Sequence, residues 1–319
     1  MVSDGTQERQ LEKLRRDLGE VFLAALADPA TVEILLNADG NLWQERLGEP
    51  LRPIGTMIAN RAEAVLRTIA ACLQTTITRD KPTIEGELPL DGSRFAGQIP
   101  PVVTAPVFAV RKRASRVLTL QQYVDAGIMT PEQKDNLCQA IRAHRNILVI
   151  GGTGGGKTTL TNGLIHEVTE QFPDERIVII EDTGEIQCSA QNYLQYHTSP
   201  EVNMTKLVRL TLRMRPDRIL VGEVRGPEAL DLLMSWNTGH EGGIATLHAN
   251  NAAAGLARLS TLVSMHPDAP REIEPLIGEA VDVIVHIART EGGGRIVRDV
   301  LEVKNFDRIK QVYNFQSVS

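Results

Sequence analysis

The amino-acid sequence predicts an α/β protein of two domains, with a three-layer domain on the C-terminal side and a smaller α+β domain before it. The first observation is an apolar run at 147–150, which is followed by a glycine-rich segment and a helical pattern. The second is that three more apolar runs, 177–180, 219–221 and 244–247, alternate with helical patterns and end in polar residues. The third is a pair of hairpin patterns within residues 31–112.

We expect an N-terminal domain over 1–115, a linker over 116–130 and the three-layer domain over 131–319. A length of 319 residues is typical of two domains, and a hydrophobic content of 42% provides a sizeable core. The three cysteines lie far apart and form no C-x-x-C pair, which fits a reducing compartment and gives no zinc signature.

Charge and composition bound the partners. A formal net charge of −6 argues against a chain dominated by nucleic-acid contacts, so direct nucleic-acid binding is not expected. Two Trp, four Tyr and six Phe leave few platforms for stacking single-stranded bases. No apolar run approaches the roughly 18–20 residues that span a bilayer, and the N-terminus does not resemble a signal peptide. We therefore expect a cytoplasmic protein with at most peripheral membrane contact.

The first predicted element is an amphipathic helix at 7–27, in which leucines recur at helical spacing. One interpretation is that the helix packs on its own domain or on a neighbouring subunit. The other is a helix on the membrane surface, because Lys13, Arg15 and Arg16 cluster, although the acidic residues between them weaken this interpretation.

Residues 31–112 predict a small α+β domain. Apolar runs flank Asp39-Gly40 and Asp91-Gly92, which is typical of hairpins, and Asn60 with Glu63 suggests a capping box that opens a helix. Arg94 and the basic cluster Arg111, Lys112, Arg113 and Arg116 have two interpretations. They either reach the phosphates of a nucleotide or form a solvated charge run, and without another indication the second is favoured.

The glycine-rich segment matches G-x-x-x-x-G-K-T from Gly151 to Thr158, in the strand–loop–helix context of a phosphate-binding loop. Glycines remove the side chains that would keep backbone N–H groups away from a polyphosphate, and the helix that follows directs its positive end at the anion. Lys157 would bridge the β- and γ-phosphates of ATP, and the Thr158 hydroxyl would ligate Mg²⁺. The predicted cofactor-binding residues of the loop are Gly151, Gly152, Thr153, Gly154, Gly155, Gly156, Lys157, Thr158 and Thr159.

Polar residues follow several of the apolar strands, at the sheet edge where α/β proteins bind ligands. Glu223 is the best candidate to orient an attacking water molecule. Glu181 and Asp182 are metal candidates that act through the water molecules around Mg²⁺. His248 is a candidate to hydrogen-bond phosphate or Glu223, and His240 is a weaker candidate for the same role.

Four motifs together resemble one known family, the traffic ATPases of type II and type IV secretion, and most closely its conjugative and type IV branch. They are a phosphate loop, an acidic box, a Walker B-type box and a histidine box, in segments 151–158, 180–185, 212–225 and 238–250.

The resemblance implies a RecA-like ATPase domain and a homohexameric ring, with ATP between the two domains and beside a neighbouring subunit. It implies that Arg94 and Arg111 reach the nucleotide and that Glu223 is the catalytic glutamate. His248 and His240 would sense the phosphate. The family powers pilus assembly or substrate transfer, together with inner-membrane secretion proteins, at the cytoplasmic face of the inner membrane.

One position departs from the general phosphate-loop pattern, because Gly222 precedes the predicted catalytic glutamate where an aspartate is usual. The resembled family shares this feature, which leaves Mg²⁺ to Thr158, to water molecules and to the acidic box around Glu181. The alternatives are a type IV pilus extension or retraction motor, a type II secretion motor, a nucleotide-gated scaffold and, more distantly, a DNA translocase.

Overall fold

The computed structural model describes residues 4–46, 49–112, 117–199, 201–291 and 293–317. The chain divides into two compact units, Met1–Ser115 and Arg116–Ser319. Arg113 and Arg116 of the predicted basic cluster lie outside the described residues. In the described part, no helix combines the length and apolar character that crossing a membrane needs.

The smaller unit is a six-stranded sheet with two helices. Its strand order is β3-β2-β1-β6-β5-β4, and every pairing is antiparallel. In chain order the elements are α1 Asp4–Ala27, β1 Thr31–Leu36, β2 Asn41–Arg46, β3 Arg52–Thr56, α2 Ala59–Cys72, β4 Thr83–Glu87, β5 Arg94–Gln98 and β6 Val107–Arg111.

The core of this unit lies between one face of the sheet and the two helices. Leu14, Leu18 and Phe22 of α1 are buried against α2 and the sheet. Helix α1 is interrupted at Gly19, whose φ of 79° and ψ of 167° are not helical. The predicted capping box at Asn60 is wrong, because α2 begins one residue earlier and Ile58 occupies the N-cap position without a side-chain cap.

The larger unit is built on an eight-stranded sheet of order β14-β13-β12-β7-β11-β10-β8-β9. The strands from β12 to β9 pair in parallel, whereas β13 and β14 add an antiparallel edge. Its elements in chain order are α3 Leu120–Asp125, α4 Pro131–Arg142, β7 Ile147–Gly151, α5 Lys157–Gln171, β8 Ile177–Glu181, β9 Tyr193–His197, α6 Met204–Thr211, β10 Arg218–Val221, α7 Glu228–Trp236, β11 Ile244–His248, α8 Ala252–Ser264, α9 Ile273–Ala280, β12 Val283–Arg289, β13 Arg295–Asp307 and β14 Val312–Ser317.

Alternate residues of the buried strands face opposite layers. Leu148 and Ile150 of β7 pack with helices α6 to α9, whereas Ile147 and Val149 pack with α3, α4 and α5. A parallel sheet covered on both faces needs apolar residues at every position, and all five residues of β7 are buried. The predicted three-layer architecture is therefore confirmed, with the phosphate-loop segment at one edge of its sheet.

Candidate active site

The glycine-rich loop joins the end of β7 to the start of α5. Gly154 and Gly156 have φ values of 63° and 98°, a left-handed conformation that residues with a side chain rarely adopt. A Cβ at Gly151 would collide with the backbone carbonyl oxygen of Ile287. Gly156 is the N-cap of α5 and offers no side-chain cap, so backbone N–H groups and the positive end of the helix face the loop.

Lys157 lies at the centre of this loop with 8% of its surface exposed. Its ammonium group donates hydrogen bonds to the carbonyl oxygens of Gly151 at 3.1 Å and Gly152 at 3.2 Å. The same Nζ lies 3.3 Å from Nε2 of His248, at the end of β11. Carbonyl oxygens and an imidazole are weaker partners for an ammonium group than phosphate oxygens. Lys157 is therefore held where an incoming phosphate can take over its hydrogen bonds.

Thr158 contacts a carboxylate that the sequence predictions did not include. Its hydroxyl donates to Oε2 of Glu185 at 3.3 Å. The side chain of Asn162, in the same helix, donates to the backbone carbonyl oxygen of Glu185 and accepts from a backbone N–H group that follows Glu185 in the loop. Glu185 belongs to the acidic segment 180–185. Glu185 lies four residues after the end of β8, so nothing in the sequence indicated that it is close to α5. It reaches α5 only because the loop after β8 folds back.

Glu181 is the residue that folds this loop back. Its Oε2 accepts hydrogen bonds from the backbone N–H groups of Glu185 at 2.8 Å and Ile186 at 3.1 Å, and its Oε1 accepts one from the Gln195 side chain. Its side chain is 4% exposed, and burial raises the pKa of its carboxyl group, although the backbone hydrogen bonds oppose that rise. In this arrangement Glu181 supports the loop that carries Glu185.

Gly222, at the end of β10, faces Glu181. A Cβ at this position would lie 2.8 Å from the Cβ of Glu181, which is closer than real side-chain atoms approach. The glycine that departs from the general phosphate-loop pattern is thus explained by close packing of β10 on the buried glutamate of β8.

Glu223 follows directly and lies between two basic groups. Its Oε2 forms an ion pair with Nη2 of Arg225, and its Oε1 lies 3.5 Å from Nε2 of His248. Arg225 also contacts Oδ2 of Asp182 at 3.3 Å, so two acidic residues that follow neighbouring strands share one guanidinium group.

The electrostatic state of His248 follows from its position. Burial lowers the pKa of its imidazole, and the Lys157 ammonium lowers it further, while Glu223 opposes the change. The ring is therefore neutral at neutral pH, and Nε2 accepts from Lys157.

His240 precedes strand β11 in the chain. Its Nδ1 is buried without a hydrogen-bond partner, and no described hydrogen bond or ion pair joins it to Lys157, Glu223 or His248. Its predicted role as a phosphate sensor stays a prediction.

Arg94 and Arg111 belong to the smaller unit. They are cross-strand neighbours in β5 and β6, and both side chains are half-buried. Arg111 lies opposite Glu33, and Arg94 lies opposite Glu87, so the two arginines form the centre of a charged row across the sheet. Adjacent like charges on one sheet are unfavourable by themselves, and the flanking glutamates offset that repulsion.

The donor set suits Mg²⁺ bound through few protein ligands. Glu185 supplies hard carboxylate oxygens beside the Thr158 hydroxyl, whereas the two oxygens of Asp182 contact Thr198 and Arg225. Within the described ranges no group of three or more His, Cys, Asp or Glu residues is placed to hold a metal ion. Mg²⁺ typically keeps several water ligands and binds proteins through one or two carboxylates plus phosphate oxygens. Glu185 and Thr158 suit a site of this kind.

Comparisons with known proteins identify the family to which this chain is related. A family model described as type II/IV secretion system protein matches residues 18–303. The probable conjugal transfer protein TrbB of Sinorhizobium fredii is 48% identical over 298 residues, which cover 93% of this chain and 91% of that protein.

Two solved structures are similar in fold. The VirB11 ATPase of the Brucella suis type IV secretion system, solved with sulphate, is 26% identical with a TM-score of 0.50, covering 94% of this chain and 97% of that one. The Legionella pneumophila ATPase DotB is 20% identical with a TM-score of 0.64, covering 96% and 82%, and shows the fold alone. The predicted fold class and the resemblance carried by the four motifs are confirmed, and the chain belongs to the type II/IV secretion system protein family.

Proposed function

We propose that this protein is a Mg²⁺-dependent ATP hydrolase that powers a type IV secretion or conjugation apparatus. One observation carries the proposal: Lys157 lies in a loop of backbone N–H groups, 3.3 Å from His248, which in turn lies 3.5 Å from the Glu223 carboxylate. A phosphate-binding loop and a carboxylate that can orient water therefore lie at the same edge of the sheet. Phosphoryl transfer to water requires both, together with Mg²⁺.

Each residue has a distinct part in this reaction. Lys157 exchanges the carbonyl oxygens of Gly151 and Gly152 for β- and γ-phosphate oxygens, and α5 directs its N-terminal N–H groups at the same phosphates. Glu223 orients the attacking water and accepts its proton. Once phosphate takes over the Lys157 ammonium group, Nε2 of neutral His248 can carry the ring proton and donate to the Glu223 carboxylate. Thr158 and Glu185 would hold Mg²⁺, which when bound neutralises charge on the phosphate oxygens.

Hydrolysis is tested with purified protein and Mg²⁺-ATP, with and without EDTA. Lys157→Ala should abolish turnover because the phosphate-bridging charge is lost. Glu223→Gln should still bind ATP and hydrolyse it at least about a hundredfold more slowly, the scale of losing one positioned catalytic group. Lys310→Ala, at the exposed turn between β13 and β14, is the matched control and should behave as wild type. Turnover by Lys157→Ala at the wild-type rate would exclude this site.

We further propose a homohexamer in which Arg94 and Arg111 contact the nucleotide. The support is the family relationship and the presence of two adjacent guanidinium groups suited to phosphate oxygens. Mass photometry with ATP analogues measures the oligomer. If Arg111 acts on a neighbouring subunit, mixing the inactive variants Arg111→Ala and Lys157→Ala should restore activity, because some sites then combine an intact loop with an intact arginine. Mixtures that stay inactive would place Arg111 in its own subunit's site.

The proposed setting is the cytoplasmic face of the inner membrane, in contact with inner-membrane secretion or conjugation proteins. The support is the name of the relative from Sinorhizobium fredii, a probable conjugal transfer protein. Plasmid transfer by a donor strain whose own copy is replaced by the Lys157→Ala variant tests this role. Transfer at the wild-type frequency would contradict it, provided that the variant accumulates normally.

A further inference from the structure

Arg225 is a charged residue of the Walker B-type segment 212–225 to which the proposed reaction gives no part. Its guanidinium group contacts Oε2 of Glu223 through Nη2 and Oδ2 of Asp182 through Nη1, the latter at 3.3 Å. The two carboxylates follow β10 and β8, which are neighbouring parallel strands. A planar guanidinium can bind two acceptors in a fixed geometry, which a flexible point charge cannot do.

The backbone on both sides of Arg225 is fixed. The N–H of Val224 donates to the carbonyl oxygen of Thr246 at 2.9 Å. The N–H groups of Arg225 and Gly226 donate to Oε1 of Glu228 at 2.7 and 2.8 Å, and Glu228 is buried at the start of α7. Since the main chain is held on both sides, the side-chain partners decide where Glu223 points.

Both oxygens of Glu223 have a basic neighbour. Arg225 takes Oε2, and Nε2 of His248 lies 3.5 Å from Oε1. Without Arg225 the carboxylate keeps only the 3.5 Å contact with Nε2 of His248, which accepts from Lys157 and so offers no hydrogen to Glu223, and the χ angles of Glu223 are no longer determined.

Arg225 is itself anchored. The other oxygen of Asp182 accepts a hydrogen bond from the Thr198 hydroxyl at 3.0 Å, so this carboxylate is oriented before it meets the guanidinium. The order of support therefore runs from Thr198 through Asp182 and Arg225 to Glu223.

We propose that Arg225 is a positioning residue for the water-orienting carboxylate of Glu223, with Asp182 as its anchor. This inference rests on the ATPase function proposed above. The Arg225 side chain is 51% exposed, and ion pairs at that exposure contribute little to stability. Its effect lies in geometry, because misplacing a reacting group by about 1 Å lowers rates by up to about a hundredfold.

The test measures kcat, KM, ADP affinity and Tm for the full-length chain. Arg225→Gln should lower kcat between about tenfold and a hundredfold while KM, ADP affinity and Tm stay close to wild type. Arg225→Lys should recover part of the loss, because a point charge holds Glu223 but does not bridge both carboxylates. Arg209→Gln is the matched control, since Arg209 pairs with Asp231 at 54% exposure elsewhere in the unit. It should leave kcat unchanged.

A double-variant cycle tests the anchor. Asp182→Asn should lower kcat less than Arg225→Gln, and combining the two should lower kcat no further than Arg225→Gln alone, because both act through one contact. Effects that multiply would overturn the anchoring role of Asp182. An unchanged kcat in Arg225→Gln, or a parallel loss of ADP affinity, would overturn the inference while the ATPase function stands. A wild-type protein that binds ADP but never hydrolyses Mg²⁺-ATP would overturn the proposed function itself.

Discussion

Replacing Gly222 with alanine should disturb the active site through a single methyl group. The φ of Gly222 lies outside the left-handed region, so alanine can adopt the backbone conformation, and the cost is entirely steric. The new Cβ would lie 2.8 Å from the Cβ of Glu181, 3.6 Å from its Cα and 3.6 Å from the carbonyl oxygen of Ile180. Either β10 or the Glu181 side chain must move.

The size of the effect follows from the packing. Adding a methylene to a packed core typically costs about 1–3 kcal/mol. For a unit of about 200 residues each kcal/mol lowers Tm by roughly 2–4 °C, so we expect a decrease of about 2–12 °C. Glu181 also holds the N–H groups of Glu185 and Ile186. Its displacement should therefore raise the Mg²⁺ concentration needed for half-maximal hydrolysis.

Thermal unfolding and Mg²⁺ titration of ATPase activity measure both effects. Gly5→Ala is the control for the chemical change alone, because no atom lies within 4 Å of its added Cβ. The alanine in α1 should leave both measurements unchanged or raise Tm slightly, since alanine favours helices. If Gly222→Ala matched wild type in Tm and in Mg²⁺ dependence, the packing explanation for this glycine would be refuted.

Three further predictions follow from single contacts. Glu185→Gln should raise the Mg²⁺ concentration for half-maximal activity about tenfold without changing metal-free ADP binding, and a wild-type Mg²⁺ titration would contradict its assignment. The folded state resists protonation of His248, because burial and Lys157 lower its pKa, so stability should fall as pH drops below the unfolded value of about 6.5. His248→Asn should flatten the slope of Tm between pH 7 and pH 5, and an unchanged slope would assign the acid sensitivity elsewhere. Arg218→Ala should destabilise the larger unit by about 3–5 kcal/mol in chemical unfolding, because it removes a fully buried guanidinium group together with its ion pair to the partly buried Glu175. A loss below about 1 kcal/mol would show that water replaces the guanidinium.

The sequence was most informative where the structure depends on local composition. The apolar runs at 147–150, 177–180, 219–221 and 244–247 each lie within a strand of the larger sheet, because a strand covered on both faces must be apolar throughout. The hairpins of the smaller unit were predictable for a related reason, since Asp39-Gly40 and Asp91-Gly92 favour tight turns.

Two edge strands were missed for the opposite physical reason. Strand β9, Tyr193–His197, carries no buried residue, so no burial pattern marks it in the sequence. Strand β3 contains Pro53 and Gly55, which are ordinarily signs of a loop, and at an edge neither disrupts a ladder. Both strands are specified by the neighbour with which they pair.

The contacts within the candidate site were beyond sequence analysis because they join segments that are far apart in the chain. A glutamate at the end of an apolar strand gave no indication of whether its oxygens face a metal or the backbone of the next loop. In the structure both oxygens of Glu181 are engaged within the protein, and Glu185 is the carboxylate beside Thr158. The basis for Gly222 was equally non-local, since only the pairing of β10 with β8 brings it against Glu181.

The order of strands in the sheet accounts for the order of contacts in the site. Lys157 after β7 meets His248 of β11, His248 meets Glu223 after β10, and Arg225 joins that carboxylate to Asp182 after β8. The strands lie side by side in the order β7-β11-β10-β8, so the residues at their ends form a row across the sheet edge. Contacts in this row join the end of each strand to the end of its neighbour in the sheet. Charge alternates along the row around a neutral imidazole, so a phosphate that draws Lys157 away from His248 changes the partners of Glu223 as well. Substitutions along this row should therefore be non-additive in kcat, whereas combining any of them with Arg209→Gln should give independent effects.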